Sequence, residues 1–111
     1  MVLSITSSNY EKEVMNYNGF VVIDCWAPWC APCRMSSPVF EELSQEIEGV
    51  KFAKLNVDEE GLIAQANRIV SIPTFIIFKN GVEVGRFVGA MPKELMKQKI
   101  MEVVEVVENN E

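Results

Sequence analysis

The chain has no histidine and only three cysteines, Cys25, Cys30 and Cys33. A closed structural zinc site takes about four nitrogen or sulfur ligands, so this inventory argues against a metal centre. Bases are scarce: 16 acidic residues stand against 10 basic ones, and the formal net charge is −6. Gripping nucleic acid by its phosphates takes a basic face, which this balance disfavours. No apolar run approaches the ~20 residues of a membrane-spanning helix, so no membrane partner is expected. Residues 1–8 show neither the basic start nor the apolar stretch of a secretory leader, and a reducing, cytoplasmic setting is the expectation. In such a compartment a cysteine pair is more often catalytic than structural. No linker, repeat, low-complexity stretch or cofactor motif is visible. With 111 residues, 49% of them apolar, the expectation is one domain over residues 1–111 with a core of its own.

What the chain does have is a cysteine pair at a telling place. The run Trp26-Ala27-Pro28-Trp29-Cys30-Ala31-Pro32-Cys33 follows the apolar segment Phe20-Val21-Val22-Ile23, which reads as a buried strand. It precedes a helical pattern in which Met35, Val39, Leu43 and Ile47 recur every fourth residue. Cys30 is therefore expected at a helix start and Cys33 one turn in. A helix N-terminus offers unpaired N–H groups and partial positive charge. Both favour a thiolate, making Cys30 a nucleophile near neutral pH. Cys33 is placed to attack the same sulfur, which is the geometry of thiol–disulfide exchange. A purely structural disulfide closing so short a loop would stabilise little. Two inert buried thiols fit poorly beside two tryptophans and two prolines.

Along the chain, Val2–Ile5 reads as a first strand. Ser8 with Glu11 has capping-box spacing for a helix showing Tyr10, Val14 and Tyr17 on one face, ended by Asn18-Gly19. A second strand covers Phe20–Trp26, apolar on both faces as central parallel strands are. A second helix is expected over Ala31–Glu48, kinked at Pro38 and capped by Gly49. Lys51–Val57 is a third strand. Asp58 to Asn67 is a third helix, with Leu62, Ala64 and Ala66 among its apolar residues. Phe75–Lys79 and Val82–Val88 pair across Asn80-Gly81, a hairpin turn signal. Pro92 opens a last helix whose inner stripe is Leu95, Met96, Ile100, Val103, Val104 and Val107. Its valines are poor helix formers, so its last turn is expected to fray. Glu102, Glu105, Glu108 and Glu111 read as its wet face. The order is a βαβ half followed by a ββα half, and right-handed crossovers put helices on both sheet faces.

Single residues stand out. Asp24 interrupts an apolar strand; burial raises a carboxyl pKa, and a group that titrates near the working pH can exchange protons with a thiol. Lys54 lies among Phe52, Ala53, Leu55 and Val57 on a strand expected to be central, where it either snorkels to the edge or pairs with a carboxylate. Cys25 points to the sheet face opposite Asp24 and reads as a buried, inert thiol. Trp26 reads as packing and Trp29 as exposed contact surface. Pro73, read from sequence alone, is a strand-edge proline in trans.

The segment Trp-Ala-Pro-Trp-Cys-Ala-Pro-Cys-Arg closely resembles the active-site segment of the thioredoxin family, usually Trp-Cys-Gly-Pro-Cys. The resemblance runs from about Ile5 to Val104. It takes in Val-Val-Ile-Asp before the pair, Ala-Lys-Leu-Asn-Val-Asp (53–58), Ser-Ile-Pro-Thr-Phe (71–75), Phe-Lys-Asn-Gly (78–81) and Val-Gly-Ala (88–90). Five motifs in the family's order are a specific signal. The resemblance implies an α/β thioredoxin fold, a five-stranded mixed sheet of order 1-3-2-4-5 with strand 4 antiparallel, flanked by four helices.

It also implies roles. Asp24 would accept the proton of Cys33, with Lys54 near it. Pro73 would be cis and face the dithiol, leaving the backbone of Ile72 to pair with an extended client segment. The client groove is expected at Trp29, Ala31, Pro32, Ile72, Pro73, Val88, Gly89 and Ala90; the alternative for Gly89 is a glycine that merely ends a strand. The implied activity is that of a monomeric protein-disulfide reductase in cell redox homeostasis. It would pass through a Cys30–Cys33 disulfide, with no bound cofactor. Partners would be disulfide-containing clients and a thioredoxin reductase, either a flavoprotein or ferredoxin-linked. Ala31 departs from the usual glycine, though alanine suits a helix start better. The rival readings are a glutaredoxin, an oxidase, an isomerase, or a protein that binds partners irrespective of redox state.

Overall fold

Along Phe20–Trp26 the side chains alternate between two buried environments. Phe20 and Val22 join one apolar cluster; Val21, Ile23 and Cys25 join another. This strand (β2) is the middle of a sheet covered on both faces. The computed structural model describes all residues, Met1–Glu111. Its elements are β1 (Leu3–Ser4), a π-helical turn α1 (Glu11–Met15), β2, α2 (Ala31–Glu46), β3 (Val50–Asn56), α3 (Gly61–Ala66), β4 (Thr74–Lys79), β5 (Val82–Val88) and α4 (Lys93–Asn109). The sheet order is β1-β3-β2-β4-β5. β1, β3 and β2 run parallel; β4 is antiparallel to β2 and to β5. This is the five-stranded mixed sheet that the resemblance implied.

On one face, Phe40 and Leu43 of α2 and Met96, Ile100 and Val104 of α4 meet Phe20, Val22, Phe52, Phe75 and Ile77. Phe40 lies with ring centroids 4.9 Å from Phe52 and 5.7 Å from Phe75. On the other face, Val14 of α1 and Ile63 of α3 meet Val21, Ile23, Ala53, Leu55, Ile76 and Phe78. Each large apolar side chain buried this way contributes on the order of 1.5–3 kcal/mol. Between β4 and β5, Asn80 and Gly81 both take positive φ, 53° and 79°, the pair of conformations that a two-residue hairpin requires. Asn80 Oδ1 also accepts the Gly19 N–H at 2.8 Å, tying the hairpin to the start of β2.

Several local expectations need correcting. The inward face of α2 is Cys33, Ser36, Phe40 and Leu43, not the stride from Met35 to Ile47; Met35 is 71% exposed. A step of four advances 400°, so a stride of four drifts around a 3.6-residue helix. α2 ends at Glu46, with Ile47 already extended and buried. Gly49 takes its positive φ in the following turn rather than capping the helix. No Ser8–Glu11 capping box forms: Thr6 Oγ1 accepts the Ser8 N–H at 3.2 Å, and Asn9 Oδ1 accepts the Thr6 N–H at 2.8 Å. The helix itself is a single π turn closed by Asn16 N–H onto the Glu11 carbonyl. α3 spans only Gly61–Ala66 and buries Ile63 and Ala64, leaving Leu62 exposed. α4 buries Met96, Ile100 and Val104, while Leu95 is exposed. The helix runs to Asn109, and Glu111 just beyond it pairs with Lys79 at 3.1 Å.

Candidate active site

The site lies where β2 hands over to α2. Cys30 is the N-cap of α2, with extended backbone (φ −88°, ψ 107°), and its sulfur accepts the Cys33 N–H at 3.2 Å. One of the helix's free N–H groups is thus aimed at the first sulfur. Pro32 stands in the first turn, where the absence of an N–H costs nothing. Cys30 and Cys33 are joined as a disulfide with Cα atoms 5.2 Å apart. Both are buried against Ala27, with Trp26, Val57 and Ile72 packed around them.

The segment before β4 faces this disulfide. The Ile72 carbonyl oxygen lies 3.8 Å from Cys30 Sγ, and the Ile72–Pro73 peptide bond is cis, unlike the trans proline read from sequence alone. Gly89 N–H donates to the Pro73 carbonyl at 2.9 Å. Gly89 has φ +101°, a conformation that few side chains adopt, just past the end of β5. Of the residues expected to form the client groove, Trp29, Ala31, Pro32, Val88 and Ala90 are exposed, Ile72 is half-buried and Pro73 is buried. Trp29 is held in place, its indole N–H donating to Asp58 Oδ2 at 2.9 Å. Trp26 by contrast is largely covered, and its Nε1 has no protein partner.

Behind the cysteines, Asp24 is buried on the sheet face that α2 and α4 cover. Its neighbour in the β2–β3 ladder is Lys54. Loss of hydration pushes the Asp24 carboxyl up from 3.8 to about 7, and the Lys54 charge opposes this. Lys54 escapes burial on its central strand because its side chain opens onto a cavity of about 130 Å³ lined by Asp24, Trp26, Cys33, Arg34, Ser37 and Lys54. The two lie on one face without forming an ion pair. Cys25 lies on the other face, buried; burial, and then the Asp24 charge, push its thiol well above the ordinary range.

Asp58, Arg34 and Ser37 were not singled out from sequence. Ser37 follows Cys33 by four residues, a helical spacing that places both on one side of α2; that signal was readable. The Trp29–Asp58 bond spans 29 positions and had none. No three histidine, cysteine, aspartate or glutamate side chains converge in a metal-binding arrangement. No helix is long and apolar enough to cross a membrane.

Comparison with known proteins agrees with this geometry. The family model named Thioredoxin matches residues 1–102. The chain is 45% identical over 95 residues to thioredoxin 1 of Nostoc sp., covering 85% of this chain and 89% of that one. It is 45% identical over 96 residues to thioredoxin of Pyropia yezoensis, covering 86% and 90%. To thioredoxin of Synechocystis sp. it is 47% identical over 90 residues, covering 80% and 84%.

Proposed function

This chain belongs to the thioredoxin family, and from that premise we propose how its residues divide the work of disulfide exchange. The protein is a protein-disulfide reductase, a thiol–disulfide oxidoreductase. The observation that carries our reading is the Cys33 N–H on Cys30 Sγ at the start of α2. A sulfur so placed is stabilised as a thiolate.

Cys30 thiolate attacks one sulfur of a client disulfide. The client S–S bond breaks, a mixed disulfide forms, and the departing client thiolate takes a proton from water. Cys33 then passes its thiol proton to Asp24 and attacks Cys30. The Cys30–client bond breaks, the second client thiolate takes a proton from water, and the client leaves as its dithiol. The chain is left as the Cys30–Cys33 disulfide, two electrons poorer. Lys54 tempers the proton affinity of Asp24 by its charge. The client backbone pairs with Ile72 beside Pro73, while Trp29, Ala31, Pro32, Val88, Gly89 and Ala90 form the apolar seat around the disulfide. An apolar seat with few polar contacts suits many clients. We read the protein as a monomer acting in the cytoplasm, returned to the dithiol by a thioredoxin reductase, either a flavoprotein or ferredoxin-linked.

The test is trapping. Cys33→Ser is expected to accumulate a mixed disulfide between Cys30 and a disulfide-bonded client protein, seen by mass spectrometry. Cys30→Ser is expected to form none. Adducts carried by Cys33 in the Cys30→Ser chain would reverse the assignment.

A further inference from the structure

Two buried polar atoms of this chain have no protein partner, Asp24 Oδ1 and Trp26 Nε1. Buried polar groups are normally satisfied by protein or by water. Both residues line the same cavity, whose volume of about 130 Å³ exceeds the roughly 10–15 Å³ that one water requires. A proton leaving Asp24 must cross this space, and the side chains around it differ in what they can do. Lys54 as an ammonium and the Trp26 indole only donate; a guanidinium cannot give up its proton. Arg34 lines the cavity too, with its Nη1 donating to the Pro28 carbonyl at 2.8 Å. Ser36 faces inward, with its hydroxyl committed to the Pro32 carbonyl at 3.1 Å. Ser37 remains. It is exposed at the cavity rim, one turn beyond Cys33, and its hydroxyl is bound to no protein group. A hydroxyl both donates and accepts, as a relay must.

We propose that Ser37 is a positioning residue for the resolving step, its hydroxyl holding the water through which Asp24 delivers its proton to solvent. This rests on the reading of Asp24 as proton acceptor. The step balances: the Cys33 thiol proton moves to the Asp24 carboxylate, and the Cys33–Cys30 bond forms as the Cys30–client bond breaks. Asp24 hands a proton on to the water held by Ser37 as it takes this one, so the relay belongs to the step that frees the client, and the departing client thiolate takes a proton from water. The charged and titratable groups facing Asp24 are Lys54 from β3 and Cys33 and Arg34 from α2. β4 presents Phe75 opposite it, and Cys25 lies on the other sheet face.

The experiment is rapid mixing of the reduced protein with excess disulfide client, following client release from pH 5.5 to 9. Ser37→Ala is expected to slow the resolving step roughly fivefold, the effect of one net hydrogen bond. A small permeant buffer such as imidazole is expected to restore the rate in proportion to its concentration. Ser37→Thr, which keeps a hydroxyl, is expected to track the parent. Mixed-disulfide formation, measured in a Cys33→Ser background, is expected to be the same with Ser37 and with Ala. A Ser37→Ala profile that superimposes on the parent and ignores buffer overturns the proposal. Asp24→Asn in the same assay distinguishes the failures. If it removes the pH dependence while Ser37→Ala does not alter it, only the role of Ser37 falls. If neither variant alters the profile, the proton-acceptor reading falls with it.

Discussion

Asp24 and Lys54 stand opposite each other in the β2–β3 ladder and share one cavity, yet their charged ends form no ion pair. The carboxylate is therefore buried with only distant compensation, and its pKa rises from 3.8 to about 7. The sign of the consequence follows from proton binding. Between these two values the folded chain keeps a proton that the unfolded chain has lost. Stability falls as pH rises through that window and levels off above about 7. The whole span corresponds to roughly 4 kcal/mol. Asp24→Asn is thus expected to be more stable than the parent at pH 8, by up to that amount, with the gap closing towards pH 4. Urea unfolding at several pH values measures this; parallel stability curves for the two proteins would contradict it.

Gly85 sets the approach of α4 to β5. A Cβ built there would lie 2.9 Å from Val103 Cγ2 and 3.2 Å from Cγ1. Valine is stiff at χ1, so the helix must move rather than the side chain. Gly85→Ala is expected to cost about 1–3 kcal/mol, the usual penalty of overpacking. Adding Val103→Ala is expected to return part of the loss, a non-additivity read from a double-mutant cycle. Disulfide-reducing activity of the folded fraction is expected to stay at the parent level, because neither residue lies at the site.

How much of this was open to reading from the chain divides along physical lines. β2 was legible from its apolar run, and Cys30 at a helix start from the strand-to-helix switch; both are local signals. The hairpin at Asn80-Gly81 was legible because its backbone demands those residue types. The sheet order came from family resemblance, since nothing local says that β3 lies between β1 and β2. α2 was found while its face was misread: Met35 and Leu43 are both apolar, and a stride of four cannot tell which side meets the sheet. The Ser8 box did not form because Thr6, an equally good capper, holds the Ser8 N–H that the Glu11 side chain would have needed. Asp24 and Lys54 could each be picked out as polar residues in apolar strands. That they are register partners depends on strand pairing across thirty residues.

Cys25 is fully buried, and its thiol is pushed far up by burial and then by the Asp24 charge on the adjacent residue. Thiolate is the reactive form. Iodoacetamide added to the dithiol form at pH 8 is therefore expected to react first at Cys30, the sulfur at the helix start, and to leave Cys25 unlabelled. Cys25 is expected to react after unfolding in guanidinium. Peptide mapping by mass spectrometry locates the adducts. Labelling of Cys25 under native conditions would show that β2 opens more readily than its central place in the sheet implies.

Trp29 is 67% exposed and yet is not free, because Asp58 Oδ2 holds its indole N–H at 2.9 Å. Asp58 is itself anchored, its backbone N–H donating to Asn56 Oδ1 at 2.9 Å just past the end of β3. The chain thus fixes a large apolar plate beside Cys30 from a neighbouring loop. Ordering a rotamer-rich side chain before the client arrives reduces what binding must spend on ordering it later. Asp58→Ala is expected to lower kcat/KM for client reduction roughly threefold, the size of a modest net hydrogen bond, through KM rather than kcat. Asp58→Asn keeps an acceptor oxygen and is expected to retain most of the parent value. Thermal stability is expected to change little in either variant, since both partners face solvent. If Asp58→Ala leaves KM untouched for clients of different size, the orientation of Trp29 does not govern docking, and the apolar seat must be formed by the loops at Ile72 and Val88 alone.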